Sequence, residues 1–207
     1  EGSYVKFSYG SPLSLEDIRR FWRNTMDERR SAKGYRPMGL YIHWPFCLSR
    51  CRFCFCDAYK PERAAEQTRY ALLLRREIEA LRDIFEGVVF TSVYLGGGTP
   101  TYASTQTLDD LFSLIHESFN ISPKAQIYVE GSPSTVTSEK LEVLSRCGVN
   151  RISLGVQSLD QDILRRAVRH GQTLERLEKL VARIKRLGIA INLDLMAGLE
   201  GQTPRSF

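Results

Sequence analysis

The feature that most constrains the fold of this chain is a regular alternation of short apolar strands with amphipathic helices after about residue 38. Five segments are predicted as strands, and each is separated from the next by helical sequence. Parallel strands need long crossover connections, so the pattern predicts β/α units around a parallel sheet. Right-handed crossovers favour a doubly wound sheet or a β/α barrel. The strand segments are GLYIHWPFC, TSVYLGGGTP, AQIYVEGSP, VNRISLGVQS and IAINLDLMAGL.

Local signals mark the ends of several helices. Ser14 followed by Asp17 predicts a capped helix start, and the segment YRPMG interrupts the pattern shortly before the first strand. We therefore predict an N-terminal helical extension over residues 1–36 and a main domain over residues 37–207. Gly148 and Gly188 follow two later helical segments and predict their ends.

The predicted strands carry polar residues on one face, although strands buried on both sides of a parallel sheet are normally apolar throughout. Polar and aromatic side chains alternate with aliphatic ones in four of the five strands, which predicts one apolar face for helices and one polar face. A barrel that encloses a polar ligand needs such a lumen, with its chemistry at the carboxyl ends of the strands. The residues on the polar face are Tyr41, His43, Tyr128, Glu130, Arg151, Ser153, Gly155, Gln157, Asn192 and Asp194.

Length and composition set the broad class. The chain has 207 residues, which suffices for one domain with a substantial core. Its net charge of +5 comes from lysines and arginines scattered among acidic residues, so nucleic acid is not required as a partner. No apolar run reaches the length of a membrane span, and no signal-peptide pattern is present at the start.

Four of the five cysteines lie within ten residues, in CLSRCRFCFC directly after the first predicted strand. Disulfides between such close neighbours form poorly, and a domain of this size does not need them. Tetrahedral zinc usually takes two ligand pairs from separate segments, and no second Cys/His pair with that spacing occurs. An iron–sulfur cluster fits the spacing best. Cys47, Cys51 and Cys54 match three irons, and Cys56 is assigned a place beside the cluster because C-x-C is too short for both sulfurs to hold one cube.

The motifs resemble those of a known family. C-x3-C-x2-C after the first barrel strand is the signature of the radical S-adenosylmethionine (SAM) enzymes. YIHWPFCLSRCRFCFC, YLGGGTPT, RISLGVQS and NLDLMAGLEGQT together resemble the oxygen-independent coproporphyrinogen III oxidase branch. The resemblance runs from about residue 39 to residue 207. It implies a TIM-like barrel of the radical SAM type, here truncated after about five strands because the family has six and a further C-terminal domain.

The resemblance implies the following chemistry. A [4Fe-4S] cluster on Cys47, Cys51 and Cys54 would bind SAM at its open iron. One electron would cleave SAM to methionine and a 5′-deoxyadenosyl radical, which takes a hydrogen atom from substrate. The most similar activity is oxidative decarboxylation of two propionates of a tetrapyrrole to vinyl groups.

The resemblance also assigns residues around the cofactors. Tyr41 and Phe53 would pack beside SAM, and His43 is a candidate neighbour of the cluster. Glu130 would accept a hydrogen bond from SAM. A glycine-rich turn would admit SAM closely and offer it carbonyl oxygens, and three further residues match a second SAM site, with an ion pair as the structural alternative. The turn is Gly96, Gly97, Gly98 and Thr99, and the second-site residues are Gln157, Arg169 and Asp194.

Three positions depart from the branch and leave the substrate open. Trp44 replaces an aliphatic residue, Ser132 an acidic or amide residue, and Glu200 a proline. Alternatives in the same branch are a radical SAM C-methyltransferase and a haem-degrading enzyme. A haem carrier is another, although Cys56 stands where carriers usually have phenylalanine. A zinc-stabilised binding module without catalysis also stays open. The implied partners are a tetrapyrrole substrate and an electron donor such as flavodoxin or ferredoxin. Cluster lability implies a cytoplasmic, oxygen-poor setting.

Overall fold

The computed structural model describes residues 13–31 and 37–207, and five parallel strands pair in chain order. This sequential order distinguishes a β/α barrel from a doubly wound sheet, in which the strand order reverses at a switch point. Within the described residues β5 does not pair with β1, so the sheet is an unclosed part of a barrel, as predicted. The strands are β1 (Met38–Trp44), β2 (Val89–Gly97), β3 (Asn120–Gly131), β4 (Arg151–Gln157) and β5 (Ala190–Leu195).

Six α-helices accompany the strands in the described part of the chain. They are α1 (Leu15–Ser31), α2 (Ala64–Leu81), α3 (Thr105–Ser118), α4 (Ser138–Arg146), α5 (Gln161–Arg166) and α6 (Leu174–Arg186). Two short 3-10 turns lie at Arg82–Phe85 and Pro100–Tyr102.

Helix ends lie where the sequence predicted them. Ser14 Oγ accepts a hydrogen bond from the Asp17 N–H at 3.1 Å, and Asp17 Oδ2 accepts one from the Ser14 N–H at 3.2 Å. Gly148 and Gly188 follow α4 and α6 with φ of 82° and 71°, a conformation that costs other residues strain. Helices α3, α4, α5 and α6 each follow a residue whose side chain accepts a hydrogen bond from the first turn: Ser104, Thr137, Asp160 and Thr173.

The helices cover the aliphatic face of the sheet. Ile152, Leu154 and Val156 are buried against α4 and α6, and a larger cluster fills the space between β1–β3, α2 and α3. Leu193 and Leu195 of β5 occupy the same face but are 43% and 53% exposed, since no described helix covers the end of β5. The apolar face is therefore packed across the first four strands and open at the fifth.

Aromatic and polar residues form lateral rows on the other face. Tyr41, Tyr94, Tyr128 and Arg151 lie side by side on β1 to β4. The ring centroids of Tyr41 and Tyr94 are 5.5 Å apart and those of Tyr94 and Tyr128 are 4.5 Å apart, while Arg151 lies 5.5 Å from the centroid of Tyr128. The next row toward the carboxyl ends holds His43, Gly96, Glu130, Ser153 and Asn192.

Helix α1 packs against the turn after α2. Arg19 pairs with Asp83 at 2.6 Å, and the ring of Trp22 meets Phe85 edge-on at 5.5 Å. Met26 is buried in this contact region. The rest of the predicted extension, residues 1–12 and 32–36, lies outside the described residues, so its boundary at residue 36 stays a prediction.

Candidate active site

The cysteine-bearing loop after β1 is held in a closed shape by backbone hydrogen bonds. The Cys47 N–H donates to the Tyr59 carbonyl at 2.9 Å, and the Tyr59 N–H donates to the Pro45 carbonyl at 2.8 Å. The Cys54 N–H donates to the Cys51 carbonyl at 3.1 Å, which turns the chain inside this loop. All four clustered cysteines border the same cavity.

These thiols border a cavity of about 730 Å³ at the carboxyl ends of the strands. The volume suits a nucleoside-sized ligand with room beside it. The other walls come from the glycine-rich turn after β2 and from the ends of β3, β4 and β5, and they bring together most of the predicted site residues. Those at the cavity are Cys47, Cys51, Phe53, Cys54, Cys56, Gly97, Gly98, Thr99, Glu130, Gln157, Arg169 and Asp194.

The glycine-rich turn packs directly on the cysteine loop. The Gly98 N–H donates to the Trp44 carbonyl at 2.7 Å, and the Thr99 N–H donates to the Phe46 carbonyl at 2.9 Å. A Cβ on Gly98 would lie 2.8 Å from the Phe46 oxygen and 3.0 Å from Cys47 Sγ. Glycine is therefore required here by the protein's own backbone and thiol.

The two preceding glycines make room for side chains of the polar face. A Cβ on Gly96 would overlap the ring of Tyr94, and one on Gly97 would lie 2.6 Å from His43 Cε1. Gly97 also has φ of 112°, which other residues rarely adopt. Gly96 itself is buried and does not border the cavity, so packing alone accounts for its lack of a side chain.

Tyr41 and His43 form a short chain of hydrogen bonds beside the cavity. His43 Nε2 is 2.9 Å from the Asp57 carbonyl, which only accepts, so this nitrogen carries the proton. His43 Nδ1 then accepts from the Tyr41 hydroxyl at 2.9 Å. Burial, followed by the charges of Glu130 and Cys56, raises the pKa of Tyr41. Neither residue borders the cavity, and both lie on the strand behind the cysteine loop.

Arg169 contacts the cysteine loop. Its Nη1 donates to Cys51 Sγ at 3.6 Å, and its Nη2 donates to Ser132 Oγ at 3.2 Å and to the Gly155 carbonyl. Its Nε is buried without a hydrogen-bond partner in the described residues. The ion pair with Asp194 that the sequence left as an alternative does not form, since Asp194 bonds to Ser153 Oγ at 2.8 Å instead.

Two thiols of the loop, Cys47 and Cys56, have raised pKa values, which favour their protonated form when no iron is bound. Burial raises the pKa of Cys47, and the Thr99 hydroxyl, which donates to Cys47 Sγ at 3.4 Å, offsets part of the rise. Burial and the neighbouring Cys54 thiol raise the pKa of Cys56 to about 11. Because thiolates are the ligands of iron, loading must release protons.

The arrangement fits an iron–sulfur cluster. Thiols are its ordinary ligands, and the hydrogen bonds from Thr99 and Arg169 to two of the sulfurs are of the kind that tune its potential. Across residues 13–31 and 37–207, no three Cys, His, Asp or Glu side chains converge on one point that would hold a single ion.

Tyr94, which donates a hydrogen bond to Glu130, was not singled out from the sequence. The contacts of three residues that the sequence analysis named were not predicted either: Ser132 accepts from Arg169, and Asn192 Nδ2 donates to Ser153 Oγ at 2.9 Å. Val168 has φ of 58° immediately before Arg169. The polar-face periodicity placed Ser153 and Asn192 on the lumen but did not reveal their hydrogen bonds, which depend on strand register.

Comparison with known proteins defines the class of this fold and site. The family model described as the radical SAM superfamily matches residues 41–207. The chain belongs to this superfamily, and membership implies a [4Fe-4S] cluster and SAM as cofactors.

Within the superfamily, the chain is similar to oxygen-independent coproporphyrinogen III oxidases. It is 32% identical to that of Escherichia coli over 197 residues, covering 95% of this chain and 43% of the relative. It is 37% identical to that of Bradyrhizobium diazoefficiens over 206 residues, covering 99% and 44%. The chain thus spans less than half the length of these relatives.

Solved structures agree on the fold. The coproporphyrinogen III oxidase of Escherichia coli superposes with a TM-score of 0.82 at 29% identity, covering 94% of this chain and 43% of the other. The radical SAM methyltransferase TsrM of Kitasatospora setae gives 0.55 at 18% identity, covering 81% and 32%, which shows a shared fold alone. Among the described helices, none has both the length and the apolar character needed to cross a bilayer.

Proposed function

We propose that this chain is the SAM-cleaving part of an oxygen-independent coproporphyrinogen III oxidase. The observation that carries the proposal is the meeting of the cysteine loop with polar side chains from β3, β4 and β5 around one cavity. The oxidases at 32% and 37% identity support the substrate class.

The proposed roles of the cysteines rest on their C-x3-C-x2-C spacing, which matches the signature of the superfamily. Cys47, Cys51 and Cys54 hold the cluster, and Cys56 borders the same cavity without serving as a ligand. When bound, the reduced cluster supplies the electron that cleaves SAM to methionine and a 5′-deoxyadenosyl radical. Arg169 and Thr99 donate hydrogen bonds to two of the sulfurs and so stabilise the charge of the loaded loop.

The remaining residues bind and orient SAM. Glu130 would accept a hydrogen bond from its protonated amino group. Gly97, Gly98 and Thr99 would line the binding site, and Phe53 would pack against SAM. Tyr41 supports this wall from behind, through its ring contact with Tyr94. Gly96 contributes indirectly. Because it has no side chain, the Tyr94 ring fits beside the glycine-rich turn.

A second SAM molecule would bind at the ends of β4 and β5. Gln157, Arg169 and Asp194 border that part of the cavity, and the buried Arg169 Nε there has no partner among the described residues. The reaction provides a reason for two molecules. Each propionate becomes a vinyl group by losing one hydrogen atom, one electron and CO₂, so two propionates require two hydrogen abstractions.

The whole reaction needs partners that approach from outside the cavity. These are the tetrapyrrole, which brings anionic carboxylates to a chain of net charge +5, a one-electron donor such as flavodoxin or ferredoxin, and an acceptor for the electron that each propionate loses. His43 keeps its proposed place near the cluster through its hydrogen bond to the Asp57 carbonyl at the end of the cysteine loop.

Haem transport without radical chemistry is the second candidate. Cys56 at the cavity argues against it, because that position is usually phenylalanine in the carrier branch. C-methyl transfer and haem degradation are outcomes that product analysis separates from decarboxylation.

The test begins with anaerobic loading of the purified protein with iron and sulfide. Dithionite and SAM should then yield 5′-deoxyadenosine, and coproporphyrinogen III should lose two molecules of CO₂ per turnover in the full-length protein that contains this chain. Formation of S-adenosylhomocysteine would indicate methyl transfer instead of oxidative decarboxylation. Haem binding without 5′-deoxyadenosine would favour the carrier. A matched Cys147→Ser variant should behave as the unaltered protein, since that thiol lies away from the cavity, beside Asp109.

A further inference from the structure

The carboxylate of Glu130 is held by two donors from β2. The Tyr94 hydroxyl donates to Glu130 Oε1, and the Gly97 N–H donates to Oε2 at 3.1 Å. We propose that Tyr94 is a positioning residue that fixes the Glu130 carboxylate so that its free lone pairs face the amino group of SAM. This inference rests on the proposed function of Glu130 as the acceptor for that group.

The ring of Tyr94 is packed between neighbouring side chains of the polar face. Its ring lies between those of Tyr41 and Tyr128, at centroid distances of 5.5 Å and 4.5 Å. It also covers the position where a Cβ of Gly96 would stand. Packing on three sides therefore directs the hydroxyl at Glu130 without the loss of side-chain entropy that a mobile donor would suffer on ordering.

The hydroxyl of Tyr94 always donates its hydrogen bond to Glu130. Burial and the hydrogen bond to Glu130 raise the pKa of Tyr94 well above its ordinary value. The phenol keeps its proton throughout the working range of pH, so the bond from Tyr94 to Glu130 does not switch with pH.

Glu130 keeps free acceptor positions on both carboxylate oxygens. A carboxylate offers about four lone-pair positions, and Tyr94 and Gly97 occupy one on each oxygen. In the part of the chain that the structure describes, no lysine or arginine pairs with Glu130. The carboxylate borders the cavity with its charge uncompensated and its direction set. A protonated amine is the ligand group that this arrangement suits.

The expected consequence is a selective loss of binding. Tyr94→Phe keeps the ring and its stacking but removes the donor, so Glu130 gains rotational freedom. The KM for SAM should rise about tenfold, with kcat and iron content nearly unchanged, because a hydrogen bond to a charged group has been lost. Glu130→Gln should raise the KM further, since the charge that attracts the amine is then absent.

A readout without cofactors separates positioning from a general structural role. In the unloaded protein, hydrogen exchange of the Gly97 amide measured by NMR should accelerate in Tyr94→Phe and in Glu130→Gln, because the acceptor of that amide is loosened or weakened. The amides of Val93 and Leu95, which lie in the same strand, should exchange as before. Tyr102→Phe is the matched control, because its hydroxyl has no hydrogen-bond partner among the described residues and the ring lies outside the cavity.

The outcomes are distinct. Faster Gly97 exchange together with a raised KM supports the inference. Unchanged Gly97 exchange in Tyr94→Phe overturns it, whatever SAM does. A raised KM in Glu130→Gln but not in Tyr94→Phe also overturns it, while the proposed function stands. A loaded protein that neither binds nor cleaves SAM removes the proposed function, and the inference about SAM is lost with it. If Tyr94→Phe does not fold, Glu130→Gln still tests the inference. Unchanged hydrogen exchange of the Gly97 amide in that variant overturns it.

Discussion

Nη1 of Arg169 lies 3.6 Å from Sγ of Cys51, although 118 residues separate the two along the chain. The resemblance had placed Arg169 at a second SAM site, and the structure adds a contact with the cysteine loop. With Cys51 as a proposed ligand, a fixed positive charge beside its sulfur would stabilise the reduced, more negative cluster. Arg169 would then connect the proposed cluster with the wall of the cavity.

Removal of this charge should lower the reduction potential of the loaded protein. We expect Arg169→Met to shift the midpoint downward by tens of millivolts, because the hydrogen bond and the charge are lost together. Redox titration followed by electron paramagnetic resonance measures the shift. Arg165→Met is the control, since Arg165 pairs with Asp162 on the surface of α5. An equal shift in both variants would contradict a specific contact with the cluster.

The proposed ligand set predicts a sharp division among the five cysteines. Serine at Cys47, Cys51 or Cys54 should remove most of the iron retained after anaerobic loading and the visible absorbance of the cluster. Cys56→Ser and Cys147→Ser should keep both, because neither is proposed as a ligand. Loss of iron in Cys56→Ser would mean that the fourth thiol completes the ligand set.

Gly98 predicts a steric coupling between the glycine-rich turn and the cysteine loop. In Gly98→Ala the new Cβ would meet the Phe46 carbonyl and Cys47 Sγ at 2.8 and 3.0 Å, so the loop must shift and iron content should fall severalfold. Gly39→Ala is a useful comparison because its Cβ would meet Ser92 Oγ at 2.7 Å, and that side chain can rotate. Equal iron content in the two variants would argue against the coupling.

Replacing Val168 by glycine should increase the stability of the folded protein. It is a β-branched residue at φ of 58°, a conformation that costs on the order of 1–3 kcal/mol. Its carbonyl accepts a hydrogen bond from Ser49 Oγ at 3.3 Å, which ties this turn to the cysteine loop. Val168→Gly should raise the free energy of unfolding by about 1 kcal/mol in urea denaturation. Val181→Gly, within α6, should lower it, and a loss at both positions would mean that Val168 is not strained.

The partly buried amino group of Lys140 should make the stability of the protein depend on pH. Its Nζ donates to the carbonyls of Thr101 and Thr135 at 2.6 and 3.1 Å, and burial lowers its pKa from 10.5. Between the lowered pKa and 10.5 the unfolded chain binds more protons than the folded one, so the free energy of unfolding rises with pH in that window. Lys140→Met should abolish this rise and cost roughly 1–2 kcal/mol at neutral pH through the lost hydrogen bonds.

Urea denaturation at several pH values between 7 and 10.5 measures the difference between the two proteins. Lys124→Met, at an exposed position of β3, is the control and should follow the unaltered protein. A constant difference between Lys140→Met and the unaltered protein across the window would contradict the assigned pKa direction.

Local sequence determined much of what the structure contains. Helix ends at Ser14, Gly148 and Gly188 were predictable because capping and left-handed turns depend on residues within one turn of the chain. The cysteines and the glycine-rich turn could be assigned to one site because parallel strands place all their carboxyl ends at the same edge. The division of the strands into polar and apolar faces followed from a period of two.

Tertiary structure alone decided how the chosen residues contact one another. Crossover length leaves both a barrel and a doubly wound sheet open; the resemblance implied the barrel, and the observed strand order confirmed it. The hydrogen bonds from Tyr94 and Gly97 to Glu130 depend on the register between β2 and β3. A shift of β2 by one residue would turn Tyr94 to the other face of the sheet. The strained turn at Val168 and the contact of Arg169 with Cys51 arise where segments more than a hundred residues apart close on each other. Such contacts are set by the packing of the whole sheet, which local periodicity does not encode.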